Sequence, residues 1–186
     1  MMEIEIERKT NWSDVRDAAR ATIWRLPDGK EPTSEWKRKI LLARHSPIEA
    51  LIFKVTMKDI PYWVSVHLVR HKVGITHWVS SQRDDRHENE VPRAEMPQGA
   101  LVTHTMQINA QALIAVSRKR LCGQASTETR QVWAAVKKTM ESLDPDMSWA
   151  MRPECDWCGG RCPEMRGCDG RAKLDWFFGE GGQDAN

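Results

Sequence analysis

The sequence predicts an α+β domain, built from a few short strands and longer amphipathic helices, followed by a cysteine-rich tail. Three observations lead there. Apolar and polar residues alternate in EIEIER (3–8), LIFKVTM (51–57) and ITHWVSS (75–81), the period of a strand with one buried face. Apolar residues recur at spacings of three and four after Asn11, Thr33 and Ser126, the period of a helix with one buried stripe. Four of the five cysteines crowd between positions 155 and 168, which sets a tail of residues 151–186 apart from a main domain of residues 1–150.

Taken in order, the strand 3–8 leads into a helix that Asn11 or Ser13 can cap, with Trp12, Val15, Ala19, Ile23 and Trp24 inward. PDGKEP (27–32) has the composition of a turn. Thr33 or Ser34 opens a second helix with Ile40, Leu41 and Leu42 on its inner side, and the tryptophans here read as core. After RHSPIEA (44–50) and the strand 51–57, Asp59 is expected to cap a helix with Pro61 in its first turn. That helix would run through YWVSVHLVRH, so that His67, Arg70 and His71 share a face, and Gly74 would provide a left-handed exit. Residues 83–92 are hydrophilic and read as a solvated loop. A long helix is expected from Pro97 to about Leu121, on which Asn109 and Arg120, eleven residues apart, project in the same direction. Cys122-Gly123 ends it, and a final helix carries Val132, Ala135, Val136 and Met140 inward.

The stretch from His67 to Arg83 mixes three histidines, three cationic side chains and three hydroxyls with six apolar residues. Buried polar groups cost about 1–3 kcal/mol each when unpaired. Such a mixture suits either a wall facing a polar or anionic ligand, or a half-exposed helix with a polar face.

Composition narrows the function classes. The 186 residues can bury one sizeable core, and the formal net charge of +2 argues against duplex nucleic acid or a membrane surface as a partner. The sequence shows neither a leader-type apolar segment nor an apolar run near eighteen residues, so a cytoplasmic protein is expected. An odd number of cysteines fits reduced thiols or metal better than a disulfide framework. Cys155-x2-Cys158-x3-Cys162-x5-Cys168 can be read as a structural zinc site, as uncoordinated thiols or as an iron–sulfur cluster; Cys122 reads as a small buried apolar residue.

Arg70-His71-Lys72, seven residues, then Ser80 resembles the signature of the flavin-dependent thymidylate synthases (ThyX), which is Arg-His-Arg, seven residues, then Ser. Upstream, Ser46-Pro47-x-Glu49 is similar to that family's Thr/Ser-Pro-Phe-Glu segment. Downstream, Arg93-x3-Pro97, eleven residues, Asn109-Ala110 resembles its Arg…Leu-Pro…Asn-Ala-Arg segment. Arg118-x-Arg120-Leu121 followed by Ala125-x2-Glu128-x-Arg130 resembles its Leu-Arg…Ala-Gln-x-Glu-Ile-Arg segment. The collinear match spans residues 44–131. Departures are Lys72 for the third motif residue, His77-Trp78 for Asn-Glu, Gln82-Arg83 for Arg-Tyr, Gln111 for Arg and Ser126 for Gln, with a short segment between Ser80 and Arg93.

The resemblance implies a small antiparallel sheet packed by long helices, a homotetramer, and methylation of dUMP to dTMP. Methylenetetrahydrofolate would supply the carbon, reduced FAD the hydride and NADPH the electrons that restore the flavin. No enzyme nucleophile is required. By position, Ser80, Ser81, Gln82 and Arg93 would hold the dUMP phosphate, and His67 and Arg120 the nucleotide base. Arg70, His71, Lys72 and Asn109 would face FAD, with Arg120 and Arg70 the catalytic cations. Cys155, Cys158, Cys162 and Cys168 would remain free for a structural zinc. The alternatives are a relative that uses another pyrimidine or one-carbon group, and a non-catalytic nucleotide- or nucleic-acid-binding module with a zinc-binding tail.

Overall fold

The computed structural model describes residues 2–86 and 91–168. One four-stranded antiparallel sheet organises the chain: β1 (Glu3–Arg8), β2 (Ile52–Pro61), β3 (Ile75–Val79) and β4 (Leu101–Asn109), in the spatial order β1-β2-β4-β3. Among the described residues seven α-helices accompany it: α1 (Trp12–Ala21), α2 (Ser34–Ala43), α3 (Tyr62–Leu68), α4 (Ala110–Arg120), α5 (Thr127–Leu143), α6 (Pro145–Ala150) and α7 (Glu154–Trp157). The α+β class and the small antiparallel sheet expected above are both present.

The sheet has one apolar face. Phe53, Val55, Met57 and Ile60 of β2 and Val102, Met106 and Ile108 of β4 are buried, whereas Lys54, Thr56, Thr105 and Gln107 point the other way. Thr56 and Thr105 are register partners and their hydroxyls stand 3.2 Å apart. Leu113, Val116, Val132, Trp133, Val136 and Met140 from α4 and α5 complete the core. Full burial of each large apolar side chain contributes about 1.5–3 kcal/mol. The two largest also satisfy their indole N–H groups: Trp12 donates to Asp144 Oδ2 at 2.7 Å, and Trp133 to Ser117 Oγ at 2.9 Å.

Several local expectations are corrected. Residues 101–109 form a strand, and helix begins only at Ala110. Val102, His104, Met106 and Ile108 all face inward at a period of two, and the Thr and Ile content suits an extended chain. Asn109 is therefore the N-cap of α4, accepting from the Ala112 amide at 2.8 Å, and does not lie on a shared helical face with Arg120. Asp59 sits inside β2 with φ of 55°, at an irregularity between Met57 and Ile60, so the strand continues to Pro61. The helix that follows ends at Leu68, which places Arg70 and His71 in the connecting turn. Leu42 is half exposed, and Trp24, expected in the core, is wholly exposed with φ of 58°. Among the described residues no helix is long and apolar enough to cross a membrane.

Candidate functional site

The polar cluster nearest the predicted site lies where α3, the turn before β3, and the C-terminal end of α4 meet. Arg120, the last residue of α4, donates from Nε to His71 Nε2 at 3.0 Å and from Nη2 to the His67 carbonyl at 2.7 Å. His67 in turn shares a 3.0 Å hydrogen bond between Nδ1 and Thr129 Oγ1 on α5, and its ring meets Trp63 edge-on at 5.4 Å. Among the described residues Arg120 keeps Nη1 without a protein partner. A carbonyl of α3 and a ring of the turn after it thus fix one half-buried guanidinium.

A second line of polar groups runs beneath this cluster. Ser65 Oγ lies 3.0 Å from His104 Nδ1, His104 Nε2 lies 2.9 Å from His77 Nδ1, and His77 Nε2 lies 2.7 Å from the His71 carbonyl oxygen. Because that last partner is an acceptor, His77 must donate from Nε2. With all rings neutral, His104 then donates to His77 and Ser65 donates to His104. His104 is fully buried and His77 half-buried.

Burial is the chief cause of the shifted titrations here. It lowers His104 to about 4, with the neighbouring His77 charge adding to the effect. It lowers His71 to about 4 as well, assisted by Arg120 and then His77. His67 is lowered by burial, then by Arg120 and Arg70, and burial followed by Arg70 lowers Arg120. The histidine shifts have a sign for stability. Rings held neutral in the fold bind fewer protons than in the unfolded chain, so their contribution is complete above the ordinary histidine range near 6.5 and is lost as pH falls toward 4. The thermal midpoint is therefore expected to fall between pH 6.5 and 4, and to fall less steeply in His104→Asn; scanning calorimetry across that range checks it.

A groove of about 330 Å³ opens on the other side of the turn, lined by Lys72, Gly74, Thr76, Gln107 and Asn109, with Glu49 at its edge. Gly74 is required there on two counts. Its φ is +71°, and a Cβ would stand 2.6–2.9 Å from the Asn109 side-chain atoms. Gly74→Ala is expected to cost about 1 kcal/mol or more from backbone conformation alone. It should also displace the Asn109 amide and lower the urea midpoint, which equilibrium unfolding followed by circular dichroism measures.

No family model and no curated protein matches the sequence. Solved structures do match the fold. Thymidylate synthase X (ThyX) from Helicobacter pylori, with FAD and dUMP, superposes with a TM-score of 0.62 at 16% identity, covering 80% of this chain and 97% of that one. The UMP/dUMP methylase PolB from Streptomyces cacaoi, bound with 5-Br dUMP, gives a TM-score of 0.61 at 14% identity, covering 80% and 94%. The fold is ThyX-like.

Within that ThyX-like fold, the predicted residues fall into groups. His67, His71 and Arg120 converge, as do Lys72 and Asn109 around the groove. His71 therefore turns its ring toward Arg120, apart from its expected FAD-facing companions Lys72 and Asn109, and Arg70 is exposed. Ser80 extends the β3–β4 pairing, its amide donating to the Thr103 carbonyl at 2.9 Å and its Oγ accepting from the Thr103 amide at 3.0 Å. Ser81 Oγ accepts from the Arg83 amide at 3.2 Å, and the exposed Arg93 donates its amide to Asp84 at 3.1 Å. Gln82 is half-buried beside them. His77 and His104 were not among the predicted site residues. They stand on facing strands twenty-seven positions apart, and only the inward alternation of β4 could have flagged His104.

The tail does not gather the expected zinc ligands. Among the described residues no three His, Cys, Asp or Glu side chains are placed to hold one metal ion. Cys158 Sγ lies 3.9 Å from Glu154 Oε1 and Cys155 Sγ 3.8 Å from Asp156 Oδ1, while Cys122, Cys155, Cys162 and Cys168 all line one small cavity.

Proposed function

We propose that this chain is a pyrimidine deoxynucleotide methylase of the ThyX type, converting dUMP to dTMP in the cytoplasm with methylenetetrahydrofolate as carbon donor and NADPH as reductant. The observation that carries the reading is Arg120, a guanidinium fixed by His67 and His71 with one amino group still to offer. Negative charge must develop on the uracil carbonyls for C5 to become nucleophilic, and a preorganised cation in a half-buried site stabilises it without reorganising. Arg70 would add a second positive charge at the same turn. Ser80, Ser81, Gln82 and Arg93 would hold the 5′-phosphate, which needs a cation and oriented donors. Lys72 and Asn109 fit a flavin, since a cation and an amide face one groove. Arg70 is exposed beside them, and His71 would contribute through its backbone turn. When bound, reduced FAD supplies the hydride that completes the methyl group. The site would be finished by neighbouring copies in a homotetramer, with residues 1–150 as the catalytic domain and 151–186 as the tail.

A second reading, that the chain acts on another pyrimidine, is supported by the PolB neighbour, a UMP/dUMP methylase. One experiment serves both. Purified protein is given FAD, NADPH, methylenetetrahydrofolate and either dUMP or UMP carrying tritium at C5. Release from dUMP is the expected result; release from UMP alone selects the second reading. A protein that takes up no FAD and releases no tritium from either would sink both.

A further inference from the structure

We propose that the turn after α1 is a self-association site, at which Trp24 of one copy of this chain enters a groove beside Trp24 of a second copy. This contact is independent of the nucleotide reading and shares no residue with the Arg120 cluster or the Lys72 groove.

The turn presents a fixed knob. Ile23, Trp24 and Leu26 are 58%, 100% and 83% exposed, three large apolar side chains within four positions. The backbone at Trp24 is left-handed, with φ of 58°, a region that residues other than glycine seldom enter. Bonds to α1 hold it there. The Arg20 carbonyl accepts from the amides of Ile23 at 3.1 Å and Arg25 at 3.0 Å, and Arg20 Nε donates to the Leu26 carbonyl at 2.7 Å. Asp17 accepts from the Asp28 amide at 2.9 Å, and Asp28 pairs with Arg16 at 3.0 Å and Arg20 at 3.3 Å. A strained turn pinned in this way loses little freedom on contact, and tryptophan is among the residues that dominate binding energy at interfaces.

The hole lies beside the knob. A groove of about 320 Å³, with room for one indole, has Ala19, Ile23, Pro32 and Trp36 in its walls. Trp24 follows Ile23 in the chain yet stays fully exposed, so it does not fill the groove of its own copy. Knob and hole therefore share one face, and a two-fold axis between them lets each copy offer its indole to the other. Charge suits the same occupant. Arg16 and Arg20 at the rim are compensated by Asp28, whereas among the described residues the side chain of Arg25 has no hydrogen bond or ion pair. An exposed guanidinium in that state attracts the face of an indole, which a second copy supplies. Covering two indoles with two groove walls takes about 600–1,000 Å² counted on both copies. That is the low end for specific interfaces, so a weak, concentration-dependent association follows.

The test uses the full chain. Sedimentation velocity across the micromolar range should show association that rises with concentration. Trp24→Gly, in which the new residue adopts the positive φ freely, should raise the midpoint concentration about thirtyfold or more without lowering the thermal midpoint of the dilute chain. Arg25→Ala should raise it about threefold to tenfold. Trp24→p-benzoylphenylalanine then locates the contact: irradiation of mixed ¹⁵N-labelled and unlabelled chains should join position 24 of one copy to a residue between 16 and 36 of the other. That cross-link reports this contact even where other faces also hold copies together. A chain that stays monomeric, association unchanged in Trp24→Gly, or cross-links confined to the same copy or to other parts of the second copy would each overturn the proposal. So would Trp24-dependent binding to anionic phospholipid vesicles without association between copies, which would assign the turn to a membrane surface.

Discussion

Replacing Arg120 by Ala is expected to lower tritium release from dUMP by about 10²–10³-fold, the usual consequence of removing a fixed donor to developing negative charge. The size follows from the setting. Nε and Nη2 are already committed to His71 and the His67 carbonyl, so the guanidinium cannot swing away and its position is set before substrate arrives. Arg120→Lys keeps the charge but loses the fork that grips both partners, and an intermediate loss is expected. Nucleotide affinity, measured by calorimetry, should change far less than turnover, because the charge it stabilises is greatest after the ground state. Turnover unchanged in Arg120→Ala would defeat the nucleotide reading.

Asp144→Ala should give the largest loss of stability among polar substitutions, about 3–5 kcal/mol. Asp144 is nearly buried and caps α6 by accepting from the Met147 amide at 3.0 Å. Its other oxygen accepts from the Trp12 indole at 2.7 Å and pairs with Arg8 at 3.4 Å. One carboxylate therefore joins β1, α1 and α6, and its removal strands a buried indole N–H together with an uncapped helix. In a chain of this length the thermal midpoint should drop by roughly 10 °C. Asp144→Asn, which keeps one acceptor oxygen, should lose less. A urea midpoint unchanged in Asp144→Ala would show that the three elements hold together without it.

The sequence revealed the strands with strict alternation and the helices with marked caps, because both signals are local. β1, α1 and α2 begin where Glu3, Asn11 and Thr33 suggest. The strand at 101–109 was hidden because its apolar residues, read together with Leu113 and Val116, also satisfy a helical spacing. What decides is the partner: β4 pairs along its length with β2 and β3, contacts that no local pattern contains. The same holds for the site. Arg120, His67 and His71 were singled out individually, but the bond between Arg120 and His71 crosses forty-nine positions. Cys122 reads in the sequence as an ordinary core residue and His104 carries no assignment there; only the pairing of β4 gives His104 its polar company, and only the return of the tail brings other thiols to the cavity beside Cys122.

The line from Ser65 through His104 and His77 ends on the carbonyl oxygen of His71. A peptide carbonyl does not take up a proton at neutral pH, so the line has no terminus to which charge could be delivered. It is a strut and not a wire. Its work is to hold the turn at His71 at a set height above the sheet, which in turn sets where Arg120 can reach. Shortening the strut, as in His77→Ala, should therefore shift the alignment of the guanidinium and slow turnover at every pH alike, whereas a broken proton path would move the pH optimum.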